Sequence, residues 1–173
     1  RRTLEFVPAH FEIIEEVTYV YSCNHCSKMM RPEKEPGLLN SGIATPSLVA
    51  AIINGKYVNG LPLERQHKEF KRYGLELSTK TMSNWMIKVS DRYLSKLFKL
   101  MKEEFLKCRY LHCDETRVQV LDEPEQNPNS KNWMWVYMTG INSGHYRMVL
   151  FDYKRTRGGY HPKEVLEGVE ECF

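Results

Sequence analysis

The chain has 173 residues, 42% hydrophobic and 27% charged, with a net charge of +3. Together with a mean hydropathy of −0.53, this composition belongs to an ordinary globular protein and excludes a collagen, a coiled-coil rod and a disordered tail. No stretch reaches the ~20 apolar residues that a membrane span requires, and the longest run, Ser47 to Ile53, ends at Asn54-Gly55.

The chain opens Arg1-Arg2-Thr3-Leu4-Glu5, without an initiating Met, an apolar signal core or a cleavage site. The expectation is a cytoplasmic protein whose reading frame begins upstream. Leu4 to Cys23 reads as extended and predicts a small β-ribbon, because Phe11 and Ile13, then Val17, Tyr19 and Tyr21, fall on alternate positions. It runs into Cys23-Asn24-His25-Cys26 and then Arg31 to Gly42, a stretch with Pro32, Pro36 and Gly37 that lacks periodicity and reads as a linker or exposed loop.

Thr45-Pro46 is a helix start, and Leu48, Val49, Ile52 and Ile53 share one face of a helix expected to stop at Asn54-Gly55. A second helix begins near Pro62, carries Leu63, His67 and Phe70, and stops at Gly74. Ser78 caps a third, whose apolar positions from Met82, Trp85 and Met86 to Met101 and Phe105 keep helical period without a break. From Tyr110 the pattern changes to three strands, Tyr110 to Leu121, Trp133 to Thr139 and Tyr146 to Tyr153. The turns Asp122 to Lys131 and Gly140 to His145 make consecutive antiparallel pairing the economical topology. His161-Pro162 starts a helix with Val165, Leu166, Val169, Cys172 and Phe173 on one face.

The charge is uneven along this order. Lys56 to Lys107 holds 12 Lys and Arg against 6 Asp and Glu, whereas the remainder is net −3. A basic block suits a nucleic-acid face, and a solvated helix surface gives the same count. The Gly74 turn between two helices has a helix-turn-helix layout. Lys80, Ser83, Asn84 and Lys88 lie on the polar side of the second helix, with Arg65 on the first, residue types that suit phosphate and base-edge contacts. The alternative is an ordinary helical hairpin in which Trp85 and Met86 are core. Arg155 and Arg157, beside Gly158-Gly159, offer phosphate contacts or form a solvated Gly-rich turn.

Five cysteines do not make a disulfide framework. Cys23 and Cys26 have the spacing of a metal knuckle, two thiolates of a tetrahedral zinc site, or belong to a turn with two free thiols. Cys108, Cys113 and Cys172 have no matching spacing, and His10 and His25 are the nearby candidates to assist.

Three strands followed by a helix form the opening half of a ribonuclease-H-like fold, in which a carboxylate on the first, central strand holds divalent metal. Asp114 is that candidate. By strand period it shares a face with His112, Thr116, Val118 and Val120, while Glu115 points the other way. Two such carboxylates on different strands hold ions that clamp the attacking and leaving oxygens of a phosphodiester, and the alternative is a solvated strand-end Asp.

The run Leu111-His112-Cys113-Asp114-Glu115-Thr116-Arg117-Val118-Gln119-Val120-Leu121 resembles the segment around the first catalytic aspartate of transposases of the insertion sequence 66 family, with Cys113 where Ala is usual. The likeness extends to Leu4-Glu5-Phe6-Val7-Pro8, Ile53-Asn54-Gly55-Lys56-Tyr57-Val58-Asn59, Leu61-Pro62-Leu63-Glu64-Arg65-Gln66, Thr81-Met82-Ser83-Asn84-Trp85 and Trp135-Val136-Tyr137.

The resemblance implies a DDE-type transposase that cuts and joins DNA at element ends with magnesium or manganese. It implies a homo-oligomer in the active complex, accessory proteins of the same element as further partners, and no membrane. Asp114 would be the first catalytic and magnesium-binding carboxylate; the second aspartate and the glutamate fall beyond Phe173, so this portion alone is expected to be inactive. Asp152, in a family-like Phe-Asp-Tyr run, reads as a strand-end residue. A second cysteine pair upstream would complete the zinc site of Cys23 and Cys26.

The expected architecture is mixed α/β: residues 1–44 a β-ribbon with a zinc-ribbon remnant and linker, 45–107 a helix-turn-helix-like DNA-contacting segment, and 108–173 the first half of a ribonuclease-H-like core. The competing readings are a non-catalytic DNA-binding fragment acting through the helices and a structural fragment with an incomplete sheet.

Overall fold

The computed structural model describes residues 2–5, 10–33, 36–39, 42–121, 124, 127, 130–141 and 146–167. The chain divides into two compact units, Arg1–Tyr93 and Leu94–Phe173.

The first unit opens with an extended segment, but only a short ribbon forms, β1 (Tyr21–Ser22) antiparallel to β2 (Met29–Met30). The alternating residues from Phe11 to Tyr19 lie outside this ladder, because a strand needs a neighbour to satisfy its N–H and C=O groups and only Tyr21–Ser22 have one. Phe11 anchors the segment instead, edge-on to Phe70 at 5.0 Å.

Helix α1 (Pro46–Tyr57) begins as expected, with Thr45 Oγ1 accepting from the Leu48 N–H at 3.3 Å. It does not stop at Asn54-Gly55. Gly55 is a buried helical residue, and a Cβ there would sit 3.0 Å from the Gln66 side chain. Gln66 is itself buried and donates to the Ile52 carbonyl at 3.3 Å and the Leu61 carbonyl at 3.0 Å. This glycine therefore serves close packing rather than termination. Helix α2 (Leu63–Arg72) ends at Gly74, whose φ of +84° is the left-handed conformation that glycine adopts without strain. His67 Nδ1 hydrogen-bonds the Leu77 carbonyl at 2.8 Å and ties α2 to the following connection. Helix α3 (Thr79–Val89) is capped by Ser78, whose Oγ accepts from the Thr81 N–H at 3.1 Å. Ile52, Leu77, Met82 and Met86 form one core cluster, and Ala44, Val49 and Val89 another.

The long helix expected from Ser78 to Phe105 is helical without a gap from Thr79 to Phe105, but it is not α-helical throughout. A π-helical turn, Ser90–Leu94, separates α3 from α4 (Ser95–Phe105). Its residues are exposed, as are Leu97, Phe98 and Leu100, so the apolar stripe is buried only at Met82, Met86, Val89 and again at Phe105.

In the second unit β3 (Leu111–Val118), β4 (Asn132–Thr139) and β5 (Val149–Lys154) pair antiparallel in chain order, as the turn positions required. The middle strand is β4; β3, expected to be central, has one neighbour among the described residues. Phe105 of α4 packs with Trp135, Tyr137 and Leu150 on one sheet face, joined by Val165 and Leu166 at the end of α5 (Tyr160–Val165). The two loops expected between the strands and the terminal apolar positions Val169, Cys172 and Phe173 fall largely or wholly outside the described residues.

Candidate functional site

The register of β3 on β4 places Asp114 opposite Val136, and that of β4 on β5 places Val136 opposite Phe151. His112, Asp114 and Thr116 share this face with Met138, Val149 and Phe151. All six are exposed. Asp114 is thus a solvated carboxylate on the open face of the sheet; its Oδ1 accepts from the Glu115 N–H at 2.8 Å.

Glu115 faces the opposite way, as strand alternation required, onto the covered face. Its side chain is 14% exposed, and its Oε1 accepts from Arg157 Nε at 2.5 Å. Trp135, its cross-strand partner, is buried with Tyr137, and His161 of α5 lies edge-on to the Trp135 ring at 6.4 Å. Burial raises the Tyr137 hydroxyl well above the usual tyrosine range, and negative charge at Cys113, Asp152 and Glu164 acts in the same direction. The Tyr137 hydroxyl, the Trp135 Nε1 and the His161 Nδ1 are buried without a hydrogen-bond partner among the described residues. Asp152, expected at a strand end, lies instead within β5 opposite Trp135; it is half-buried and pairs with Lys154 at 3.3 Å.

The Gly158-Gly159 turn has a packing reason. A Cβ on Gly158 would meet the Tyr160 ring at 2.0 Å, so glycine lets that ring lie against the backbone beside His161, whose ring centroid is 4.1 Å away.

On α3, Lys80, Asn84 and Lys88 recur every four residues and are exposed, on the side opposite buried Met82, Met86 and Val89. Ser83 is half-buried, and Arg65 of α2 is exposed. Trp85 packs against both core clusters, in keeping with a core role.

The Cys23 to Cys26 segment is the turn of the β1–β2 ribbon. The Cys23 N–H donates to the Lys28 carbonyl at 2.9 Å, and Ser27, at φ +55°, donates back to the Cys23 carbonyl at 2.8 Å. Hydrogen bonds from the His25 and Cys26 backbone, then from the Cys26 thiol, draw the Cys23 thiol below its usual range. Donors converging on one sulfur favour its thiolate. His10 is engaged with Glu12 at 3.1 Å, Cys108 is buried in the second unit, and Cys113 lies in β3. Among the described residues no group of three or more His, Cys, Asp or Glu is placed to hold a metal ion. No helix among the described residues is long and apolar enough to cross a membrane.

Trp133 and Glu115 carried no functional signal in the sequence. Glu115 and Arg157 are 42 residues apart, and no local pattern links them.

Three curated relatives come from Sinorhizobium fredii (strain NBRC 101917 / NGR234). The uncharacterized protein y4hP is 26% identical over 96% of this chain and 30% of its own length. The uncharacterized protein y4qI is 30% identical over 78% of this chain and 24% of its own, and y4jD is 29% identical over 69% and 23%. The chain therefore spans between about a quarter and a third of the length of these relatives. No solved structure matches it. The profile of the family described as Transposase IS66 family matches residues 41–172, which take in α1 to α5, Asp114 and the basic face of α3, and the chain belongs to that family.

Proposed function

We propose that this chain is an N-terminal and central portion of a DDE-type DNA transposase, with Asp114 as the first catalytic carboxylate. The observation that carries the reading is the coincidence of the family match with Asp114 exposed on the first strand of an antiparallel three-stranded sheet. Residues 108–173 are then the first half of a ribonuclease-H-like core. In the complete core a further strand pairs with the open edge of β3 and brings a second carboxylate beside Asp114. Magnesium or manganese supplies charge that stabilises the attacking and leaving oxygens of a phosphodiester. Asp114 would hold it there with the carboxylates contributed by the rest of the protein.

Residues 45–107 contact DNA through Arg65, Lys80, Ser83, Asn84 and Lys88, and Arg157 adds a contact from the core. The exposed Lys80, Asn84, Lys88 row supports this and also supports the non-catalytic reading, a module that only binds element ends. Residues 1–44 form half of a zinc ribbon, with Cys23 and Cys26 as ligands. The active complex is a homo-oligomer on element and target DNA, with accessory proteins of the same element.

Strand transfer on element-end DNA with magnesium or manganese tests the reading. Full-length protein turns over, the Asp114→Asn variant of it does not, and the 173-residue chain is inert, because one carboxylate fixes neither ion. Full activity in the Asn variant, or metal-dependent cleavage by the 173-residue chain, overturns the assignment.

A further inference from the structure

At the Trp133 end of the covered sheet face, three strands and the loop before α5 gather cations around one indole. Arg117 is directly across from Trp133 in the β3–β4 register, and Lys154 directly across from it in the β4–β5 register. The Arg117 guanidinium carbon lies 5.5 Å from the Trp133 ring centroid and that of Arg157 lies 5.2 Å from it. A guanidinium held on an indole by cation–π attraction keeps the N–H groups along its rim free for an acceptor.

Arg157 is gripped a second time, through its bond to Glu115. That bond uses Nε, so the two terminal nitrogens keep their four N–H donors without a partner among the described residues. Arg117 is exposed and makes no ion pair among the described residues. Two pre-positioned guanidinium forks with unspent donors match the oxygens of a phosphodiester. Base stacking on Trp133 is disfavoured, since both guanidiniums already lie over that ring.

We infer that Arg117 and Arg157, seated on Trp133, form a phosphate-binding site for the DNA backbone, and that Glu115 is the positioning residue that holds Arg157 in it. The inference rests on the DNA-processing reading and gives the residue beside Asp114 a separate task on the opposite face of the same strand.

The test is binding of a random-sequence duplex by the 173-residue chain across a KCl series, followed by anisotropy. Thermal unfolding confirms that each variant is folded. Arg117→Ala and Arg157→Ala should each flatten the slope of log affinity against log salt by about one unit. Glu115→Ala should weaken binding about fivefold, the loss of one charge-assisted positioning contact, although it makes the protein more positive by one charge. Glu115→Gln, which keeps an acceptor for Nε, should recover most of that loss. Tighter binding by Glu115→Ala shows the carboxylate to be only a repulsive neighbour and overturns the positioning role. Unchanged slopes in both arginine variants, with a wild type that binds, overturn the site and leave the functional reading standing. A wild type that fails to bind at low salt overturns both.

Discussion

The two faces of the β3–β4–β5 sheet are built from alternate residues of the same three strands, yet they differ in what they do. One face carries Trp135, Tyr137 and Leu150, all buried, with Phe105, Val165 and Leu166 packed against them. The other carries Val136, Met138, Val149 and Phe151 beside Asp114, and Phe151 on it is 60% exposed. Both are apolar enough to be a core. The difference teaches that alternation divides residues between faces but does not say which face acquires a cover. It also separates two neighbouring carboxylates, leaving Asp114 solvated and Glu115 locked to Arg157.

The largest effect that separates the faces comes from truncating one aromatic on each. Phe105→Ala removes a fully buried ring and should cost ~3–5 kcal/mol in urea unfolding. Phe151→Ala should cost under ~1 kcal/mol. Equal losses would mean that the open face is covered in solution.

Tyr137 offers a pH-dependent contrast. Its proton is held more tightly in the folded chain than in the unfolded one, so its contribution to stability is complete below the ordinary tyrosine pKa of about 10. As pH rises above that value the unfolded state releases the proton first, and stability falls by up to ~1.4 kcal/mol per pH unit. The loss is complete once pH passes the folded value. Tyr137→Phe should flatten this alkaline limb. It should leave stability at neutral pH equal or higher, because the hydroxyl is buried without a partner among the described residues. An unchanged alkaline limb in the Phe variant would place the titration elsewhere.

The smallest contrast lies between the adjacent carboxylates. Glu115→Ala should destabilise by about 1 kcal/mol, discounted because Arg157 is 66% exposed. Asp114→Asn should stay within about 0.5 kcal/mol of wild type. A large loss for Asp114→Asn would tie that residue to folding, and its effect on transposition would then need a structural explanation.

Much of the secondary structure was legible because its signals are local. Thr45 and Ser78 cap helices through side-chain oxygens three residues from their donors, and Gly74 ends α2 by a backbone conformation. Gly55 misled for the same reason. Next to Asn54 it resembles a terminator, and only the Gln66 amide, contributed by the next helix, shows why a residue without Cβ is required there. The π-helical turn at Ser90–Leu94 was invisible, because Val89, Tyr93, Leu97, Met101 and Phe105 recur every four residues across it and read as one stripe. Asp114 stood out as a candidate through its motif, whereas the proposed site around Trp133 joins residues from positions 115 to 157 and leaves no periodic trace.

The sequence by itself determined the order of elements, the consecutive pairing of the three strands and the opposition of Asp114 to Glu115. Each depends on backbone periodicity, turn length or a cap within a few residues. Only the tertiary structure decided that α4 and α5 cover the Trp135 face and leave the Asp114 face open, and that Glu115 finds Arg157. Covering and pairing are settled by which distant surfaces bury apolar area or exchange charge when the chain closes, and that competition has no local signature.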